Sequence, residues 1–466
     1  MQWLYNSLFH TLRPDITCHL NQADTHKLER GLSLAQATAI NMIDMVGIGP
    51  FIAISLVLTH LNGPLCLLAW LLGAVLAYTD GMVWAEMGAK WPEAGGSYVF
   101  LQKLYGGRLG KLMAFLFIWQ TVVQAPLTAA SGAIGFSNYI KYLLPHITEW
   151  QQKMVSGGVI LLMITLLYRN IKKIGAISLA LSIVTITTIL WLILSAAGHF
   201  SFDMAFHLEK DSFNFTPLFF VYLGQSSLKA VYSYMGYYNA CHLGAEIKDP
   251  EKNIPRSMFI SITGIMILYL CMQVAVIGVL PWQQVMGSEF IVSTYFEHIY
   301  NGAVAQVATV FILFIALASI FSLLLGYSRI PYAAALNGDF FPVFAKVHSK
   351  HKFPHVSLLV LGGLAFIFSL LVKMSTVITA IVTMRILIQF VSQAVGVIIW
   401  HRQKPREHRP YKMPLFPLPA IVSACIWLML LFTSNGYFIL GALGYIAAGI
   451  LLYYLLKNKL SKPAEE

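Results

Sequence analysis

The chain has 466 residues, 58% of them hydrophobic and 11% charged, with a mean hydropathy of +0.69. Soluble domains carry about 25% charged residues, so most of this surface has to face lipid. The net charge of +11 would suit nucleic acid in a soluble protein, but its placement along the chain, given below, removes nucleic acid as a partner.

Residues 1–31 are polar and read as a cytoplasmic N-terminal segment. They hold no basic stretch followed by a short apolar run and a small-residue cleavage site, so no signal peptide is expected. Twelve apolar segments follow, at about 32–58, 64–88, 112–140, 154–168, 174–198, 217–245, 257–280, 303–333, 356–372, 376–400, 414–434 and 436–456. No linker or low-complexity run divides them, so residues 32–456 read as one transmembrane domain and 457–466 as a cytoplasmic C-terminal tail. With the N-terminus inside, most of the 31 lysines and arginines fall in the inner loops and the two tails. The outer loops hold only Lys141, Lys153, Lys210 and Lys373. That asymmetry is the positive-inside pattern. It predicts a multi-pass protein of the cell (inner) membrane with both termini cytoplasmic.

The first segment carries Asp44-Met-Val-Gly-Ile-Gly-Pro-Phe51. Lipid offers a spanning helix no replacement hydrogen bonds, and Gly47, Gly49 and Pro50 are the residues best able to open the helix. Asp44 adds a carboxylate that is costly at bilayer depth. The bland alternative is a kinked structural helix, since Gly and Pro are common in membrane spans. The sixth segment has a corresponding feature, Tyr232-Ser-Tyr-Met-Gly-Tyr-Tyr-Asn239, with Gly236 at its centre. Matching interruptions in two halves point to an inverted-repeat transporter with its site at the midplane. An unwound turn exposes N–H groups that attract anions and C=O groups that attract cations. Two such turns can hold a zwitterion without any charged side chain. Pro50 suits the first turn of the outer half-helix, where its missing N–H costs nothing.

The candidate substrate-binding residues are therefore Asp44, Val46, Gly47, Ile48, Gly49, Pro50, Tyr232, Ser233, Tyr234, Gly236 and Tyr237, with Tyr238 and Asn239 beside them. Core packing is the plain alternative for each tyrosine. Asp44, Lys229 and Arg385 fall near mid-depth by residue count and are candidates for ion coupling or for a structural ion pair. Glu86 and Glu246 sit near inner helix ends, where water access or a basic loop partner is expected. Ser322 and Ser328 could offer hydroxyls to sodium, although packing is the simpler role. The cysteines Cys18, Cys66, Cys241, Cys271 and Cys425 are scattered, with no CxxC pair. The histidines form no HExxH motif. Neither a metal nor a cofactor is expected.

Four stretches in order resemble the amino acid–polyamine–organocation superfamily of permeases. Gly47-Ile-Gly-Pro-Phe51 is similar to that family's Gly-Ser-Gly-Ile-Phe unwound turn. Trp84-Ala-Glu-Met-Gly88 with Pro92-Glu-Ala-Gly-Gly-Ser-Tyr98 resembles its Ala-Glu-Leu…Pro-x-x-Gly-Gly-x-Tyr pattern. Glu246-Ile-Lys-Asp-Pro-Glu-Lys-Asn-Ile-Pro-Arg256 resembles its loop after the sixth helix, and Gly338-Asp-Phe-Phe-Pro342 resembles a further landmark. The resemblance implies an all-α membrane protein of about twelve helices: a LeuT-like 5+5 inverted repeat plus two C-terminal helices, with helices 1 and 6 unwound at mid-membrane. It implies secondary transport of amino acids or related amines by alternating access, driven by protons or by exchange. The carboxylate and amine positions carry over to the turns at Gly47–Phe51 and Ser233–Tyr237, and Tyr232 takes the place of an aromatic gate. The chain departs from the pattern at Pro50, where the family has isoleucine, and at Asp44, where it has a small or neutral residue. Polyamine or other organic-amine transport is the alternative. A nutrient receptor would be expected to carry long signalling tails, a channel a repeated filter, and a membrane enzyme a nucleophile–base or metal spacing. None of these is visible in the sequence.

Overall fold

The computed structural model describes residues 28–208, 216–371 and 382–460, with side chains described to residue 455. Most of the N-terminal segment, the end of the C-terminal tail, Cys18, Lys210, Lys373 and the start of the segment at 376–400 lie outside the described residues. Among the described residues the chain is helical and forms no strand, only two isolated bridges, Leu32 with Ile247 and Ala94 with Leu243.

The first segment divides into α1 (Leu34–Met45) and α2 (Gly49–Leu56), which meet at 42°. Ser33 caps α1 through a reciprocal box with Gln36. Next come α3 (Cys66–Lys90), α4 (Ser97–Tyr105), α5 (Gly107–Leu143), α6 (Glu149–Leu167) and α7 (Ile171–Ser195). The sixth segment gives α8 (Pro217–Tyr234), a break, and then only the short α9 (Asn239–His242). Beyond it lie α10 (Pro250–Val279), α11 (Ile291–Ile299), α12 (Gly302–Tyr327), α13 (Arg329–Leu336) and α14 (His355–Leu371). The chain ends with α15 (Val382–Gln403), which contains a π-helical stretch at Ile386–Val391, then α16 (Leu418–Thr433) and α17 (Gly436–Leu460).

Eight of the described helices are long and apolar enough to cross a bilayer, or nine if the bent pair α1/α2 is one span. Twelve crossings were expected from hydropathy, and the shortfall has local causes. The α8 helix stops at the break after Tyr234, α16 is apolar but only 16 residues long, and α14 is apolar over 17 residues up to Leu371, where the described residues stop. At 1.5 Å per residue α16 is several ångströms short of a hydrocarbon core about 30 Å thick.

The α3 helix packs against α10, α8 and α16, and α12 against α5, α7 and α1. Around these helices a continuous apolar core closes on both broken segments. The end of the bundle that carries the basic loops is tied by buried charge. Arg329 donates from Nε and Nη2 to the two oxygens of Glu246, both at 2.8 Å, and its Nη1 donates to the Leu325 carbonyl. Glu86 accepts from Met413 N at 3.2 Å and lies 2.7 Å from His401 Nε2 and 3.4 Å from Arg409 Nε. Asp339, outside the spans, accepts from Tyr98 and Gln102, and burial raises its pKa above the usual carboxylate value. Both glutamates thus have the basic partners that their positions suggested. Removing one partner of a fully buried pair strands the other charge at a cost of about 3–5 kcal/mol. Glu246→Ala should therefore lower the melting temperature of the detergent-purified protein sharply; an unchanged melting curve would show that Arg329 is readily solvated.

Candidate functional site

The two breaks lie against each other. At the first, Val46 leaves helical geometry with φ −91° and ψ 80°, its N–H bonds back to Met42 O at 2.9 Å, and α2 restarts at Gly49 with Pro50 in its first turn. At the second, Met235 is extended and Gly236 has φ +123°. Only glycine adopts that conformation without strain. A Cβ on Gly236 would also meet Asp44 C and Met45 N at 2.7 Å, so the turn of one break is packed on the backbone of the other. Tyr269 of α10 bridges them, its Oη lying 2.9 Å from Met45 O and 3.1 Å from Ser233 O. One hydroxyl hydrogen is shared between the last carbonyls of α1 and α8.

A cavity of about 60 Å³ opens at this junction. That is room for a few waters or a small solute. From the first break it is lined by Asp44, Met45, Gly47, Ile48, Gly49 and Pro50; from the second by Tyr232, Ser233, Met235, Gly236 and Tyr238. Thr128 and Gly132 of α5, Ser319, Ile320, Leu323 and Tyr327 of α12, and Arg385 of α15 complete the wall. The approach is close on two sides. A Cβ at Gly47 would lie 2.6 Å from Ser319 Oγ, and one at Gly49 2.8 Å from the Tyr232 ring. The carbonyl ends of α1 and α8 and the amide end of α2 converge here, a partial negative pair facing one partial positive terminus.

Two opposite charges share the cavity. Arg385 is 2% exposed, and its guanidinium sits 5.1 Å over Tyr238, 5.8 Å over Tyr327 and 5.1 Å over Phe390. Its Nε donates to Gln389 Oε1 at 2.8 Å, while Nη2 is buried with no partner. Asp44 faces Arg385 electrostatically, yet no carboxylate forms an ion pair with Arg385 among the described residues.

Of the residues singled out from the sequence, Asp44, Gly47, Ile48, Gly49, Pro50, Tyr232, Ser233, Gly236, Tyr238 and Arg385 come together on this wall. The others are placed elsewhere. Val46 is fully buried as the cap of α1. Tyr234 lies two residues, about 200° of helix, from Tyr232 and packs on Trp70 and Tyr269. Tyr237 turns away to donate to Asp80 Oδ2 at 2.5 Å. Lys229 is half-buried further up α8, where its charge acts on His60. Asn239 holds Ser322 through the serine's carbonyl and hydroxyl, and Ser322 Oγ donates to Ile40 O. Ser328 Oγ donates to Leu325 O. Sequence reasoning missed Thr128, Ser319, Tyr327 and Tyr269. Each is an ordinary residue of an unbroken helix and carries no local signal. Among the described residues no group of His, Cys, Asp or Glu is arranged to hold a metal ion.

A helical membrane bundle whose two interrupted helices enclose one small charged cavity has the build of a transporter, not of an enzyme. Residues 32–453 match the amino acid permease family, and the chain belongs to it. It is similar to the methylthioribose transporter of Bacillus subtilis (strain 168), 23% identical with 94% of this chain and 95% of that one covered. It is also similar to the human cystine/glutamate transporter, 24% identical with 92% and 85% covered. The branched-chain amino acid permease BcaP of Bacillus subtilis (strain 168) is 24% identical, with 93% and 94% covered. The chain is a multi-pass membrane protein and a secondary transporter.

Proposed function

We propose that the chain moves small neutral amino acids across the cell (inner) membrane by alternating access, with both termini cytoplasmic. In this reading residues 32–456 form the transporter domain, with twelve crossings arranged as two inverted five-helix repeats and two further helices. The observation that carries the substrate class is that Asp44 and Arg385 face one cavity without pairing. A ligand with one positive and one negative group neutralises both, whereas a polyamine would leave a buried arginine beside added positive charge. The substrate ammonium sits between Asp44 and the carbonyl ends of α1 and α8. Its carboxylate takes the first amides of α2 and lies within the field of Arg385. The small volume favours a short side chain, and two of the relatives named above carry amino acids in their names.

A thermal-shift and uptake-competition panel tests this directly, because a ligand of the folded state stabilises it by RT ln(1 + [L]/Kd). Alanine and serine should stabilise the purified protein and compete for uptake in proteoliposomes, while putrescine and spermidine should do neither. The reverse pattern would make the chain an organic-amine carrier in which Asp44 selects the cation.

A further inference from the structure

Asp80 lies outside the cavity, in the middle of α3, and is fully buried. Its carboxylate is held by three donors from two other elements. Tyr237 of the second break donates to Oδ2 at 2.5 Å, while Ser423 Oγ at 2.9 Å and Trp427 Nε1 at 3.3 Å, both on α16, donate to Oδ1. Other titratable groups on the elements around it are Tyr238 at the break, Tyr234 and Lys229 on α8, Tyr269 on α10, Cys425 on α16 and His401 on α15. Only Tyr237 touches it. The nearby charges have other partners: Arg385 lies over Tyr238 and Phe390, and Glu86, two turns along α3, is held by His401 and Arg409.

We propose that Asp80 is a proton-binding positioning residue of the transport cycle, fixing the second break through Tyr237 when ionised and releasing it when protonated. The proposal rests on the break being part of the transport site. Its physics is a matter of donors and acceptors. An ionised carboxylate accepts only, and all three partners are able to donate to it. Among the described residues no cation offsets its burial, so the charged form depends on those bonds. A proton arriving from water converts the carboxylate to an acid and removes the desolvation cost. The new O–H must then donate, and the indole of Trp427 has no acceptor to offer. Only the oxygen of Tyr237 or Ser423 can receive it, and a proton on Oδ2 turns Tyr237, the partner at the second break, from donor to acceptor. The same proton is felt on the cavity side, since Trp427 stacks on Phe390 at 4.0 Å and Phe390 lies under Arg385.

The test is hydrogen exchange of the full chain in lipid nanodiscs, followed by mass spectrometry of the peptide spanning the second break, at acidic and neutral pH. After correction for intrinsic exchange, the wild type should open faster at acidic pH. Asp80→Asn and, independently, Tyr237→Phe should open fast at both. The expected gap at neutral pH is roughly tenfold, the size of one hydrogen bond to a charged group. Asp80→Glu should restore the pH dependence. A wild-type break whose opening ignores pH, or an Asp80→Asn or Tyr237→Phe protein that keeps the wild-type profile, would overturn the proposal. Since no substrate is added, the readout is separate from whether alanine is carried. A break that responds to pH in a protein that does not transport alanine would support Asp80 while refuting the substrate reading.

Discussion

Replacing Asp44 with asparagine should reduce amino acid uptake by roughly 30-fold or more, the effect of truncating one member of a buried, hydrogen-bonded charge pair. Two losses coincide in that variant. The substrate ammonium loses its only acidic side-chain partner in the cavity, and Arg385 becomes a buried cation with no opposite charge facing it. The double variant Asp44→Asn/Arg385→Gln separates them. Removing the stranded cation should return the melting temperature toward that of the wild type, because two neutral groups are cheaper to bury than one unpaired charge. Uptake should stay at the level of the single variant. Proteoliposome uptake at equal protein content measures the first effect and a detergent melting curve the second. Wild-type uptake by Asp44→Asn would remove this residue from substrate recognition altogether.

Gly236→Ala should disable the protein as thoroughly through backbone geometry alone. The added Cβ meets two main-chain atoms, Asp44 C and Met45 N, which cannot rotate away as a side chain would. A residue forced to a positive φ costs about 1–2 kcal/mol, and overpacking adds about 1–3 kcal/mol. A loss of roughly 3 kcal/mol, with uptake at background, is expected from thermal unfolding and transport assays. A neutral Gly236→Ala variant would mean that the two breaks are not in contact.

Both interruptions were legible in the sequence because glycine and proline act locally: Gly47, Gly49, Pro50 and Gly236 disrupt a helix wherever it lies. Asp44 and Arg385 stood out for a similar reason, as charges inside apolar runs. What the sequence does not carry is direction. Tyr232, Tyr234, Tyr237 and Tyr238 are equivalent as letters, yet one turn of helix and one left-handed glycine send them to three different neighbourhoods. Only Tyr232 and Tyr238 reach the cavity. The helices of the far wall are silent for another reason. Thr128, Ser319 and Tyr327 matter only because α5 and α12 pack where they do, and that packing is fixed by residues hundreds of positions away. Hydropathy alone runs past the end of α8, and the break there is marked by Gly236 and not by any drop in apolarity.

The bridge between Leu32 and Ile247 bears on how the molecule can move. Gly31 N and Leu32 N both donate to Glu246 O, Lys248 N donates to Leu32 O, and the Glu246 side chain grips Arg329. The start of α1 and the chain just beyond α9 are therefore coupled like two levers on one axle, and α13 is joined to the same axle. The start of α1 and the chain beyond α9 are thus fastened to each other at this end, beside the separate tie that Glu86 makes with His401 and Arg409.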